Sequence, residues 1–500
     1  MENGLGGGGI HADSLENLLT KRLVRRILAD VRIPRRNLRR HPLNLRTHLA
    51  ALCGTVLLFS VPALAQETGY SRTYVIKADG AWVGPGIYLE PAYIQITDGH
   101  VAWISQEDRR REGKNMLGRS TGKTKMITVS GTLAPGLVDA WSSYAPADFQ
   151  AERRPSSTRR VEDSLPMQVA MEDPVLYAQV MAARSAGVSA TYMAGGRSGL
   201  RRGVGTAVEF TVLDLPLKAG REALDFAVGS AAQSGFERTY QMEELRSAFE
   251  EAKEWRTSWD DFDEEVEKYG EKLEKYQEKL EKYLTEKKEW DEKQEAKGSL
   301  AGEGDDDDKE PKAPKRPKLP KKPQTSVARD LLLDAMDGAT LVRVQADRVR
   351  DIRGLISLKK EFGLELVLLG AYDADFLAEE LAAAEIPVIL PVVQDHHATP
   401  DPDRSFAKRY LALRDAKVTV AIASGGSDGA QFMLPIRAGE IVAAGGSQED
   451  VWASLTTVPA KILGLTDYGT LHTGMSATMI LFEGASPFDA SAPFKAHKPK

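Results

Sequence analysis

Cysteine is nearly absent from this chain: its 500 residues contain one, Cys53. A disulfide framework and a cysteine-built zinc site are therefore both excluded. Histidine is scarce as well, and beyond residue 65 only His100, His396, His397, His472 and His497 remain. An excess of one charge is missing too: the net charge is −6, from 66 basic and 72 acidic residues. A general nucleic-acid binder, which needs a basic stripe over its folded part, is thereby disfavoured. A long apolar run is also lacking. LAALCGTVLLFSVPALA at 49–65 is broken by Pro62 and falls short of the ~20 residues a membrane span needs.

What is present at that place is a leader pattern. Arginine pairs at 25–26, 35–36 and 39–40 precede the apolar run, which ends in Ala63-Leu64-Ala65 before Gln66. A basic region, a short apolar core and an A-x-A site predict a secretory signal over 1–65 and a protein exported to the periplasm or beyond. An uncleaved leader would be its one membrane contact.

Downstream, residues 72–130 alternate apolar and polar side chains, with Asp98-Gly99 at a turn, a hairpin pattern. From about 131, short apolar runs (GVSATYMAG, LELVLLG, IPVILPVV, VTVAIAS) alternate with helical stretches such as DFLAEELAAAE. Strands buried on both faces, each followed by a helix, imply a parallel sheet, and this many units favours a closed TIM-like (β/α)8 barrel. After Leu465, GTLHTGMSATMILFEG returns to short strands. The expected organisation is a composite β-sandwich domain from 66–135 and 465–500 beside a barrel over 136–464.

One segment breaks the pattern. Over 237–297 the chain is highly charged, and Trp255, Trp259, Phe262, Val266, Tyr269, Leu273, Tyr276, Leu280 and Tyr283 follow steps of four and three. That is a narrow apolar seam on a long helix, which Gly270 could bend or fold into a hairpin. A solvated arm and a coiled-coil surface for self-association or a paralogue both fit it. The Pro-, Lys- and Asp-rich stretch 298–325 predicts a disordered linker.

Several segments resemble the amidohydrolase superfamily, in its exported imidazolonepropionase-like branch. LAPGLVDAWSSY at 133–144 resembles the first-strand signature, Pro-Gly-hydrophobic-hydrophobic-Asp-Ala-His-x-His. VRVQADR at 342–348 is similar to the fifth-strand His-Ala-His-Arg end, and SGGSDG at 424–429 to the eighth-strand Ser-Asp signature. DVWASLTTVPAKILGL and YGTLHTGMSATMILFEG resemble the closing helix and strand pair. The likeness spans nearly all of the chain after the leader except the charged insert.

The resemblance implies one or two zinc-like ions held by a His-x-His pair, two further histidines and an aspartate, which would activate water to attack a C–N bond. Matched one position at a time, the first-strand histidines are here Trp141 and Ser143, the fifth-strand histidine is Gln345 and the sixth-strand histidine is Gly370; Asp428 alone keeps its type. No metal is therefore expected at these positions. Losing a water whose pKa the metal lowers from about 16 to about 7 removes on the order of 12 kcal/mol of activation. A lone carboxylate acting as base returns only about 10²–10⁴-fold. Asp428 either caps the following helix or acts on a ligand. Trp141, Gln345, Asp347 and Arg348 either line a small-molecule pocket or fill vacated space. Asp395-His396-His397 reads as an exposed loop or as a rebuilt site with Asp428. In GGRSGLRRGVG at 195–205, read as a loop, Arg197, Arg201 and Arg202 are candidate anion contacts. Three functions follow: a degenerate ligand- or partner-binding homologue, a C–N hydrolase with a rearranged or absent metal, or a coiled-coil scaffold.

Overall fold

A computed structural model of the chain describes residues 73–114, 120–142, 144, 174–196, 199–210, 216–232, 238–298, 310–393, 405–427, 429–482, 488 and 494–497. The leader 1–65, Ser143, Arg197, Asp395, His396, His397 and Asp428 lie outside the described residues.

Two sheets form around the ends of the chain. In the first, the order is β5 (His100–Ser105), β4 (Ala92–Thr97), β1 (Thr73–Ala78) and β8 (Lys125–Thr128), while β6 (Glu112–Lys114) and β7 (Ser120–Lys123) pair separately. The β4–β5 turn is the expected Asp98-Gly99, and both residues adopt positive φ, at 51° and 81°, as a two-residue hairpin of matching twist requires. Along β4, buried and half-buried residues alternate strictly, so one face is apolar. The second sheet joins β2 (Gly80–Gly84), β3 (Ile87–Leu89) and β9 (Thr132–Pro135) to the late strands β18 (Met479–Phe482) and β19 (Phe494–His497). Ile76, Ile94, Leu133, Leu471 and Met479 meet in one apolar cluster that joins the early strands to the late ones.

The larger sheet has eight strands in chain order: β10 (Leu137–Asp139), β11 (Val188–Met193), β12 (Arg201–Phe210), β13 (Pro216–Ala227), β14 (Leu341–Ala346), β15 (Leu366–Gly370), β16 (Val388–Pro391) and β17 (Val420–Ala423). It curls into a nearly closed barrel. The seam between β10 and β17 is bridged rather than laddered: Val138 N–H donates to Leu455 O, Ile422 N–H to Ser454 O, and Gly425 N–H to Trp141 O. Alternate residues of β11 and β14–β17 enter two different clusters. Ala190, Leu341, Leu369, Ile389 and Ala421 fill the interior, while Val344, Leu368, Leu390 and Ile422 face the helical layer.

One strand departs from the all-parallel expectation. β12 runs antiparallel to both β11 and β13. Only residues 194–200 separate β11 from β12, and only 211–215 separate β12 from β13. A parallel return needs a crossover of about a dozen residues or more, so these short links force hairpins. The region read as a loop is thus half strand, since Arg201 already belongs to β12. From β14 onward the regular pattern holds, with helices Val349–Phe362, Ala378–Ala383, Phe406–Asp415 and Leu434–Ala443 each following a strand.

The insert is a single 61-residue helix, Arg238–Gly298, ~90 Å long. It runs through Gly270 without a hairpin, because one interior glycine costs a helix only about 1 kcal/mol. Residues 310–326 differ from the flexible linker that composition predicts. They return along the helix in extended form, and Pro311, Pro314, Pro317, Pro320 and Pro323 are half-buried while the residues between them are exposed. Proline at every third position suits the threefold polyproline helix, which presents one face repeatedly. The opposing surface carries an aromatic ring every seven residues, at Trp255, Phe262, Tyr269, Tyr276, Tyr283 and Trp290, all half-buried. Trp255 Nε1 donates to Gln324 O at 2.9 Å, Lys322 Nζ lies 5.7 Å from the Trp259 ring, and Lys287 Nζ meets Glu310 at 2.8 Å. The lengths agree: ~48 Å of helix from 255 to 287 against ~43 Å of polyproline from 310 to 324. The apolar seam is covered by the chain itself.

Candidate functional site

A cavity of about 250 Å³ opens where the barrel strands end. Residues at or just past the C-terminal ends of β10, β11, β13, β14, β15, β16 and β17 line it, including Trp141, Ala194, Phe226, Gln345, Gly370, Pro391 and Gly425. Because β12 is reversed, it contributes its beginning instead, and this brings Arg202 to the same end. Of the residues singled out in the sequence, Trp141, Gln345, Asp347, Arg348 and Gly370 meet at this cavity.

Each has a definite partner. Trp141 is 9% exposed and packs with the interior cluster of Val138 and Ala140 while bordering the cavity. Its backbone N–H donates to Asp139 Oδ1 at 3.3 Å. Gln345 Oε1 accepts from Arg202 Nη1 at 2.8 Å, and Arg202 Nη2 donates to Ala231 O at 2.6 Å. Gly370 sits at φ 84°, and a Cβ there would lie 2.6 Å from Asp347 Oδ1. Burial pushes the Asp347 carboxyl up, against the Tyr372 backbone and Arg348, which pull it down. Arg348 is half-exposed and stands 3.7 Å from Asp373.

Sequence reading missed the groups beneath. Arg343 is fully buried in β14, two residues before Gln345, with its guanidinium carbon 3.4 Å from the Tyr192 ring centre. Nη2 donates to Ala140 O at 2.9 Å and Nε lies 3.7 Å from Asp225 Oδ1. Asp225 also accepts from Tyr192 Oη and Gly195 N–H, both at 3.0 Å. Burial nevertheless pushes the Asp225 carboxyl up, and it pushes the Arg202 guanidinium down to about 10 against the pull of Asp225. Arg409, from helix Phe406–Asp415, is 1% exposed, lines the cavity and stacks 4.5 Å from the centre of Tyr372. The signal for Arg343 was in the sequence: in LVRVQA it breaks an apolar strand at a position sharing a face with Gln345. Arg409 lies on a helix that no strand motif marks.

The described residues do not fit a divalent metal. No three His, Cys, Asp or Glu side chains converge among them. At the positions matched to ligands, Gln345 is hydrogen-bonded by an arginine, and a Cβ at Gly370 would stand 2.6 Å from Asp347 Oδ1 on a left-handed backbone that side chains seldom adopt. Among the described residues four arginines and two aspartates border the space, a net positive lining and the reverse of the field a cation requires.

A barrel with its cavity at the strand ends defines the fold class. No family model and no curated protein matches the sequence. Among solved structures, an amidohydrolase from Thermotoga maritima MSB8 matches with a TM-score of 0.56 at 18% identity, covering 84% of this chain and 96% of that one. An ochratoxinase from A. niger matches at 13% identity with a TM-score of 0.41, covering 84% and 91%. A prolidase complexed with N-methylphosphonate-L-proline matches at 14% identity with a TM-score of 0.42, covering 84% and 94%. These structural neighbours are amidohydrolase-superfamily enzymes, and the likeness, carried by the first of them, is one of fold.

Proposed function

We propose that this chain is an exported protein of the imidazolonepropionase-like branch of the amidohydrolase superfamily that binds a small molecule in its barrel instead of hydrolysing a C–N bond. The observation that carries the reading is the 2.8 Å hydrogen bond from Arg202 to Gln345. It puts a cation at a position matched to a metal ligand. The leader pattern at 1–65 supports export, and the Trp141 wall with convergent polar groups suits ligand binding. Pairing through the insert, with itself or a paralogue, would have to use the exposed face of the arm, since 310–326 cover the seam.

The test is metal analysis of purified full-length protein, joined to a turnover screen against cyclic amides and dipeptides. The expected result is substoichiometric metal and no turnover. About one equivalent of tightly held zinc, lost in an Asp428→Ala/His396→Ala variant, would overturn the reading. So would turnover of any screened amide that the same variant abolishes.

A further inference from the structure

Hydrogen-bond donors at the cavity have no acceptor among the described residues. Arg343 is 0% exposed and Arg202 is 7% exposed, and both line the space. Arg343 Nε and Nη1 and Arg202 Nε are buried without a hydrogen-bond partner. Charged donors buried in this way are costly unless an acceptor arrives, and native interiors rarely leave them so. Every guanidinium proton is a donor, so the missing partner must be an acceptor.

The charges point the same way. Arg348 is answered by Asp373. Among the other described residues bordering the space are Arg202, Arg343 and Arg409 against Asp225 and Asp347. Asp139 lies beneath, with its Oδ1 taken by the backbone N–H groups of Ser424 and Trp141 and its Oδ2 buried without a hydrogen bond to a described residue. Asp225 Oδ2 is taken by Tyr192 and Gly195, and its Oδ1 pairs with Arg343 Nε only at 3.7 Å, beyond hydrogen-bond reach, which leaves Arg343 Nη1 and Arg202 Nε as open recognition elements. A planar guanidinium presents paired N–H groups in a geometry that matches carboxylate and phosphate oxygens.

We propose that the cavity is an anion site, taking a small organic acid or phosphate ester whose oxyanion is received by Arg343 and Arg202. The volume, about 250 Å³, is enough for a compact acid. Trp141 and Leu369 give the ligand an apolar wall, and Tyr372 also lines the space. The inference rests on the metal-free binding reading above, and it adds the class of ligand.

The experiment uses purified full-length protein, with inorganic phosphate, succinate and the neutral counterpart succinamide titrated at constant ionic strength. Binding is followed by calorimetry and by the thermal midpoint. Saturable binding of phosphate or succinate is expected, at least about tenfold tighter than succinamide, which corresponds to one lost charge-assisted contact. Arg202→Gln should weaken it by about tenfold or more. Arg343→Met/Asp225→Asn, which removes both buried charges together and so spares the fold an uncompensated one, should do the same. Anions binding no better than succinamide would overturn the proposal and leave a neutral-ligand cavity standing. Unchanged anion affinity in both variants would overturn it as well. Anion binding abolished by chelator and restored by zinc would instead sink the metal-free reading. The comparison of anion with neutral ligand on the unaltered chain decides the matter even if neither variant folds.

Discussion

The carboxylate of Asp139 accepts a hydrogen bond from the backbone N–H of Ser424 at 2.9 Å, tying the end of the first barrel strand to the end of the last. Ser424 Oγ completes the clasp by donating to Trp141 O at 3.1 Å. The barrel is closed at its upper end by a side chain rather than by a continued ladder.

That clasp has a pH signature. Burial pushes Asp139 up from 3.8 to about 6, outweighing the hydrogen bonds from Ser424 and Trp141 and the charge of Arg343, which pull it down. Between those values the folded chain holds a proton that the unfolded chain releases. The stabilisation is therefore full below about pH 4 and is lost as the pH rises through 6, by an amount on the order of 3 kcal/mol. Asp139→Asn keeps an acceptor toward Ser424 and cannot ionise. Thermal midpoints of the two proteins, compared from pH 4 to pH 7.5, should diverge in favour of the variant as pH rises. Parallel curves would refute the assignment.

Gly370 holds a left-handed backbone, and a Cβ there would stand 2.6 Å from Asp347 Oδ1. Gly370→Ala should destabilise the barrel by about 2 kcal/mol or more, through its positive φ and the approach of Asp347. Gly370→His, a return to the matched histidine, should lower the melting midpoint further and recover no zinc, as measured by metal analysis after dialysis.

Gln345 and Arg202 satisfy each other inside the cavity. Gln345→Ala leaves an Arg202 N–H without its acceptor and should cost about 1–3 kcal/mol in denaturant unfolding. Gln345→Glu should cost less, because it restores the acceptor and adds a charge, but it should weaken anion binding in the same titrations. Equal anion affinity in Gln345→Glu would separate this residue from the ligand.

The arm can be opened without touching the barrel. Replacing Pro314, Pro317 and Pro320 by glycine removes the stiff threefold face and should cost the segment its ordering. Hydrogen exchange over residues 312–326 should accelerate by about tenfold or more while exchange in β14–β17 stays as it was. With the seam exposed, sedimentation should show the variant self-associating more strongly than the original chain. Slow exchange over 312–326 in the variant would show that the prolines do not hold the segment.

Much of this molecule is legible in the residues alone. Local pattern decides local structure, so the Asp98-Gly99 hairpin, the two-face-buried strands and the long helix could be read from alternation and spacing. The arm was read with its partner missing. Its aromatic seam and the prolines at every third residue are both printed in the sequence, but each looks unpartnered until the chain folds back. The substitution of Trp141, Gln345 and Gly370 at positions where the resemblance puts histidines was likewise visible without coordinates.

Tertiary structure decided the rest. The reversal of β12 follows from two short links, yet only its place in the barrel turns Arg202 from a loop residue into a cavity wall beside Gln345. Arg343 and Arg409 are 66 residues apart in number and on different kinds of element, and no local rule connects them. Secondary structure is written by neighbours along the chain, over the reach of a turn or a strand pair. A site is written by what converges at the end of a closed barrel, and that convergence exists only once all eight strands are in place.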